Sequence, residues 1–211
     1  MSMGALLVGI AGGSGSGKTT LAKAVVEMMS PMHVAAIAHD AYYRDLGHLS
    51  IEERAGCNFD EPAALDNEPL VRDLVELRAG RAIARPNYDF ATHTRLAETT
   101  QVLASPVVIV EGILVLAIPA LREVLDLKVF VDTSEPTRLA RRIERDLAER
   151  GRSRQDAETQ FLRTTRPMHD LYVEPSRRHA DVVVSGERAG PQAVASVTAA
   201  IHRLLRLGMH T

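Results

Sequence analysis

Gly12-Gly13-Ser14-Gly15-Ser16-Gly17-Lys18-Thr19 is the string from which the architecture of this 211-residue chain is read. The apolar run from Ala5 to Ala11 leads into it and reads as a strand buried on both faces. The amphipathic run from Thr19 to Met29 leads out of it and reads as a helix ended by Ser30-Pro31. Strand, glycine turn and helix are the context in which G-x-x-x-x-G-K-[ST] works as a phosphate cradle. Glycines let backbone N–H groups reach phosphate oxygens with no Cβ in the way. The helix N-terminus adds partial positive charge. In that role Gly12 to Thr19, with Thr20 beside them, surround the phosphates. Lys18 reaches the β- and γ-phosphates, and the Thr19 hydroxyl ligates Mg2+. The string specifies a nucleoside triphosphate such as ATP or GTP, with Mg2+. Alone, it leaves kinase and molecular switch both open.

Outward from the cradle, strands and helices alternate. His33–Ala38 reads as a second strand, ending at His39-Asp40. Glu68–Ala79 reads as a helix closed by Gly80. Val107–Val110 and Leu127–Val131 are apolar throughout and read as central parallel strands, with Asp181–Val184 a fifth. Glu135–Arg150, Ser153–Arg166 and Pro191–Leu207 read as helices. Ile83–Tyr88 and Arg95–Leu103 interleave polar and β-branched residues and read as an antiparallel insertion outside the main sheet. The expected fold is α/β: a P-loop NTPase-like, doubly wound parallel sheet of about five strands flanked by helices. One domain is expected over residues 1–211, with a β-hairpin insertion at 81–104 and an Arg-rich lid at 138–166. Ligands of such sheets sit at the carboxyl ends of the strands, where the glycine turn, Asp40 and Glu111 fall.

Composition narrows the function classes. A net charge of −2 gives no global pull toward a nucleic-acid polymer or a membrane surface. The single cysteine, Cys57, cannot form an internal disulfide, which suits a reducing, cytoplasmic compartment. The N-terminal apolar run is short, lacks a basic flank and runs into glycines, unlike a signal peptide. The chain has only four Tyr, four Phe and no Trp, and most of these aromatics fall between Tyr42 and Phe90.

Asp40 follows the second strand directly. A carboxylate there faces the cradle and can take a proton from an attacking hydroxyl or hold a Mg-bound water. It is equally well placed as a helix N-cap. Further strings break the tie. Asn58-Phe59-Asp60-Glu61-Pro62, Pro86-Asn87-Tyr88-Asp89-Phe90 with His93 and Arg95, and Glu111-Gly112-Ile113 follow in order. So do Arg141-Arg142-Ile143-Glu144-Arg145-Asp146, Glu149-Arg150-Gly151-Arg152, and Arg166-Pro167-Met168-His169 with Val173-Glu174-Pro175. In these the chain resembles the uridine kinases (uridine–cytidine kinases) of the phosphoribulokinase/uridine kinase superfamily, from Val8 to about Val184.

The resemblance implies roles position by position. Asp40 is similar to the base that activates the nucleoside 5′-hydroxyl, and Glu111 to an acidic metal residue. With Thr19 they make the expected Mg2+ set. Asp60 resembles the residue that holds the ribose hydroxyls, with Arg152 its partner. One carboxylate can accept from both vicinal hydroxyls. Tyr43, Phe59, Tyr88 and Phe90 would wall the base pocket, where flat rings stack on a pyrimidine. Without the family strings, each reads more simply as a core aromatic. His93 can donate or accept at one ring nitrogen according to tautomer, so it would serve uridine O4 and the cytidine amine alike. Its plainer reading is a solvent-facing hairpin histidine. The implied partners are a small nucleoside and a nucleoside triphosphate, and the implied assembly is a homo-oligomer, a tetramer.

Between Arg138 and Arg154 seven Arg and no Lys stand against three acids, Glu144, Asp146 and Glu149. Such runs are usually solvated faces. The exclusive use of Arg favours phosphate, because the guanidinium fork grips oxyanions with two bonds. Helical spacing puts Leu139, Ile143 and Leu147 on one stripe expected to pack, with Arg138, Arg142 and Arg145 along its flank. By resemblance this is a lid over the triphosphate. Arg145 and Arg150 would hold phosphates, and Arg142 and Gln160 would sit near phosphates or nucleoside. The expected reaction gives UMP or CMP. A related acceptor, as in phosphoribulokinase or pantothenate kinase, is the alternative, with a regulatory NTPase behind it.

Overall fold

The computed structural model describes residues 4–30, 32–149, 153–187 and 190–208. Five parallel strands form its centre: β1 Leu6–Gly12, β2 Val34–Ala38, β5 Val107–Glu111, β6 Leu127–Asp132 and β7 Val182–Ser185. They lie in the order β2-β5-β1-β6-β7. Two further strands, β3 Ile83–Asp89 and β4 Thr94–Val102, pair antiparallel as a separate ribbon. The expected class is therefore the observed one. Strand ends differ from the sequence reading by a residue or so, because pairing carries β1, β5 and β6 each slightly past their apolar runs.

Side-chain alternation along the central strands builds a core on each face of the sheet. Val8 and Ile10 of β1 join Ile109 and Val129 against α1 (Lys18–Met28) and α9 (Pro191–Gly208). Leu7 of β1 joins Val108, Val110 and Phe130 on the other face. There they meet Leu70, Leu74 and Leu77 of α3 (Asn67–Arg78) and Leu121 of α4 (Pro119–Val124). The spacing of the α3 leucines puts all three on one side of that helix. A short helix, α2 (Ile51–Ala55), precedes them and starts with a reciprocal cap: Glu53 N–H donates to the Ser50 hydroxyl and Ser50 N–H to the Glu53 carboxylate.

Helix α5 (Glu135–Glu149) corrects the sequence reading. Ile143 is buried, but Leu147 is 48% exposed, so the leucine stripe is not the packed face. Arg138, Arg142 and Asp146, spaced at i, i+4 and i+8, point inward instead and are 3%, 4% and 0% exposed. The charged groups are buried because the P-loop, rather than an apolar surface, lies beneath them. Arg142 Nη1 donates to Ser14 Oγ at 3.1 Å. Arg138 Nε donates to the Thr133 carbonyl, and its guanidinium lies 5.9 Å from the Phe161 ring centre.

The next helix also departs from expectation. It does not stop at Arg166. Starting as α6 (Arg154–Gln160), it continues through α7 (Arg166–Met168) and α8 (Glu174–Ser176), linked by wide π turns at Phe161–Thr165 and His169–Val173. Each π turn comes just before a proline, Pro167 or Pro175. A proline lacks an N–H and crowds the preceding turn, and a widened turn accommodates it without ending the helix.

This run lays His169 beside Gly13: a Cβ there would come within 3.0 Å of His169 Nδ1. Burial, helped by the Arg138 charge, pushes the His169 imidazole from 6.5 down to about 4. Between those values the unfolded chain holds the extra proton, so this residue makes stability fall as pH drops from about 6.5 to 4. His169→Gln should flatten that dependence by about 2–3 kcal/mol, read from urea melts at several pH values. An unchanged slope would contradict it. For the α3 core, Leu74→Ala should cost about 2–5 kcal/mol with the denaturant slope preserved.

Candidate active site

The strand ends and the ribbon enclose one cavity of about 500 Å³, the size of small-molecule sites. Its lining brings Ser14, Lys18, Asp40, Arg142 and Arg145 together with Tyr43, Phe59, Asp60, Tyr88, Phe90, His93 and Gln160. Residues far apart in the chain thus line one cavity.

The phosphate end is built on β1. Gly15 and Gly17 have φ of +79° and +92°, a region that penalises any side chain. At Gly15 a Cβ would also fall 2.3 Å from the Arg138 carbonyl oxygen. Only glycine lets α5 close on the loop. Ser16 N–H donates to the Gly13 carbonyl at 3.0 Å, and Thr133 Oγ1 donates to the Ser16 carbonyl at 2.9 Å, so the loop is tied within itself and to β6. Lys18 is 9% exposed and lines the cavity. Thr20 is exposed on the first turn of α1 and is not part of the lining.

Two carboxylates and a hydroxyl face this loop. Thr19 Oγ1 donates to Glu111 Oε1 at 3.0 Å. Burial lifts the Glu111 carboxyl above the usual range; Lys18 opposes the shift and Asp40 adds to it. A cation between these acids would relieve their repulsion, and hydroxyl plus carboxylate oxygen is a donor set that Mg2+ takes. Among the described residues there is no group of three or more His, Cys, Asp or Glu that could hold a metal. One hydroxyl and two carboxylates are a partial set, which suits an ion completed by phosphate oxygens and water.

Asp40 lies inside a single 3-10 turn, His39–Tyr42, at the end of β2, and the N-cap of that turn is Ala38. Asp40 is therefore not its N-cap. The neighbours of Asp40 are tied to α3: His39 Nε2 is 2.8 Å from Asn67 Oδ1, and the Tyr42 hydroxyl donates to Asp73 at 2.6 Å.

Within the lining, the aromatic rings form a connected wall. Phe59 and His93 stack at 4.5 Å with 17° between planes. Tyr43 meets Tyr88 at 5.3 Å and Phe59 edge-on at 5.5 Å. Burial pushes the Tyr88 phenol up to about 12, and its hydroxyl has no partner among the described residues. His93 holds φ of +55°, uncommon for a residue with a Cβ. Asp60 is 9% exposed and accepts from the Thr165 hydroxyl at 2.8 Å. Nothing in the sequence flagged Thr165, because 105 residues and a π turn separate it from its partner. Gln160 accepts from Arg142 at 3.1 Å, and Arg145 pairs with Asp146 at 3.3 Å. Arg150 and Arg152 lie outside the described residues.

The chain is 47% identical over 206 residues to a uridine kinase of Chloroflexus aggregans, covering 98% of this chain and 99% of the relative. It is 49% identical over 179 residues to a uridine kinase of Brevibacillus brevis, covering 85% and 84%. Phosphoribulokinase from Rhodobacter spheroides superposes with a TM-score of 0.66 at 16% identity, over 87% of this chain and 71% of that one, and so shares the fold. The family model described as Phosphoribulokinase / Uridine kinase matches residues 7–193. With that match over most of its length, the chain belongs to the phosphoribulokinase/uridine kinase family.

Proposed function

We propose that this protein transfers the γ-phosphoryl group of ATP or GTP to the 5′-hydroxyl of uridine or cytidine, giving UMP or CMP. The observation that carries the reading is one cavity lined both by Lys18 and Asp40 and by Asp60 with the aromatic wall. A regulatory NTPase has no need of that second half.

Each residue then has a physical task. The loop N–H groups and Lys18 hold the β- and γ-phosphates. Thr19, Glu111 and Asp40 would hold Mg2+; its contribution when bound is neutralisation of charge on the phosphate oxygens. Phosphoryl transfer demands mainly position and charge stabilisation. Asp60, steadied by Thr165, accepts from the 2′- and 3′-hydroxyls and so orients the ribose. The base enters between the rings, where His93 and the Tyr88 hydroxyl meet its polar edge. Asp40 takes the proton as the 5′-oxygen attacks. Arg142 and Arg145, on the buried and flanking sides of α5, stabilise charge on the transferred group and help exclude water.

The direct test is a nucleoside panel with ATP and Mg2+, reading phosphorylated nucleoside against free phosphate. Uridine and cytidine should be the best acceptors. Release of ADP and phosphate with no phosphorylated nucleoside would sink the reading. Asp40→Asn should lower kcat by about 10²–10⁴-fold while ATP affinity stays close to wild type. Arg145→Ala should lower kcat by roughly 10²-fold with a smaller change in nucleoside KM. A variant with kcat intact and only KM raised would rule out a transition-state role. His93→Gln and His93→Tyr should each raise KM for at least one pyrimidine nucleoside, by roughly five- to a hundredfold.

A further inference from the structure

Arg95 stands two residues past His93 on β4, and the chemistry above gives it nothing to do. Its side chain nevertheless leaves the ribbon and reaches the Asp40 turn. Nε donates to the Tyr43 carbonyl at 2.9 Å. Nη2 donates to the Tyr42 carbonyl at 3.2 Å and to the Asp66 carboxylate at 3.3 Å. Its own backbone N–H donates to Asp45 Oδ1 at 3.1 Å. One residue thus joins β4, which begins directly after the base-facing histidine, to the two residues that end the Asp40 turn.

The turn it grips is a fixed body. The Tyr42 hydroxyl is bound to Asp73, Asp66 N–H donates to the Tyr42 carbonyl at 2.8 Å, and Tyr43 pairs with Leu65 in an antiparallel bridge. The ribbon, by contrast, forms a sheet of its own. Its ring contacts to the turn, Tyr43 with Tyr88 and with Phe90 at 6.5 Å, tolerate sliding and tilt. Arg54 Nη1 also reaches the ribbon, at the Thr92 carbonyl, but from α2 and not from the turn. The guanidinium bonds of Arg95 are directional and fix distance and register together. His93 in its left-handed conformation is the kind of residue that persists only where its surroundings over-determine it, and Arg95 is an anchor close at hand.

The plainer account is an ion pair with Asp66, both partners about a quarter exposed and therefore of small worth. It leaves the two carbonyl bonds unexplained. We infer that Arg95 is a positioning residue: it sets the base-reading ribbon in register with the Asp40 turn, so that a nucleoside seated against His93 presents its 5′-hydroxyl to Asp40. This rests on the function proposed above.

The test compares Arg95→Lys, Arg95→Met and Arg95→Ala with the wild type. Three things are measured: kcat and KM for uridine, ATP affinity without nucleoside, and melting temperature. Lysine keeps the charge and cannot make the forked contacts. The expected result is a fall in kcat/KM for uridine of roughly tenfold to a hundredfold in Arg95→Lys, shared between kcat and KM, with ATP affinity within about twofold of wild type. Added guanidinium ion should restore part of the activity of Arg95→Ala, and ammonium should not. If Arg95→Met phosphorylates uridine with wild-type kcat and KM, the role is wrong. A parallel loss of ATP affinity in Arg95→Lys, or equal rescue by ammonium, also overturns it in favour of general stabilisation or of charge alone. These outcomes presuppose a wild-type chain that phosphorylates uridine. A wild type inactive on every nucleoside overturns the functional reading first, and this role with it.

Discussion

The site depends on the parallel hydrogen-bond register of the central sheet. Parallel strands present their carboxyl ends on one edge. Ala38 and Ile10 both pair with Glu111, Gly12 pairs with Val131, and Asp132 with Ser185. The glycine loop, the Asp40 turn, Glu111 and the start of α5 therefore all leave the sheet on the same side. The two hydrophobic cores hold that register from either face, because a slip of one residue would exchange inward and outward side chains on every strand. Catalytic geometry thus follows from apolar burial that touches no substrate.

Much of this was legible in the sequence because it is written in local patterns. The strand–glycine–helix string placed the phosphate end, and the apolar runs placed the strands. The polar ribbon was separable from the sheet by its alternation. Asp40 could not be decided from its own neighbourhood, since a carboxylate at a strand end serves as cap or base alike. The structure sets it inside its turn, not at the N-cap, and in one cavity with Lys18.

The misreadings concern long-range contacts. Helix α5 was oriented by its leucines, the usual guide for a helix on an apolar core. Its true neighbour is a polar loop whose glycines admit the helix to close range, so guanidinium groups became the inner face. The π turns were invisible because proline normally marks an end, and the sequence does not show that a helix will widen instead. Thr165 with Asp60, and Arg95 with the Asp40 turn, are partners only after the sheet and ribbon have assembled. Polar contacts of this kind carry no period, and a string that contains one partner does not name the other.

The function proposed above requires that the donor and acceptor halves form one continuous site meeting at Asp40. A bisubstrate analogue, adenosine joined to uridine 5′-to-5′ through a polyphosphate bridge, tests it directly by inhibition kinetics and titration. The prediction is competition with both ATP and uridine, and affinity above that of either substrate by at least about a hundredfold. Competition with ATP alone, at an affinity no better than that of ATP, would contradict a shared site.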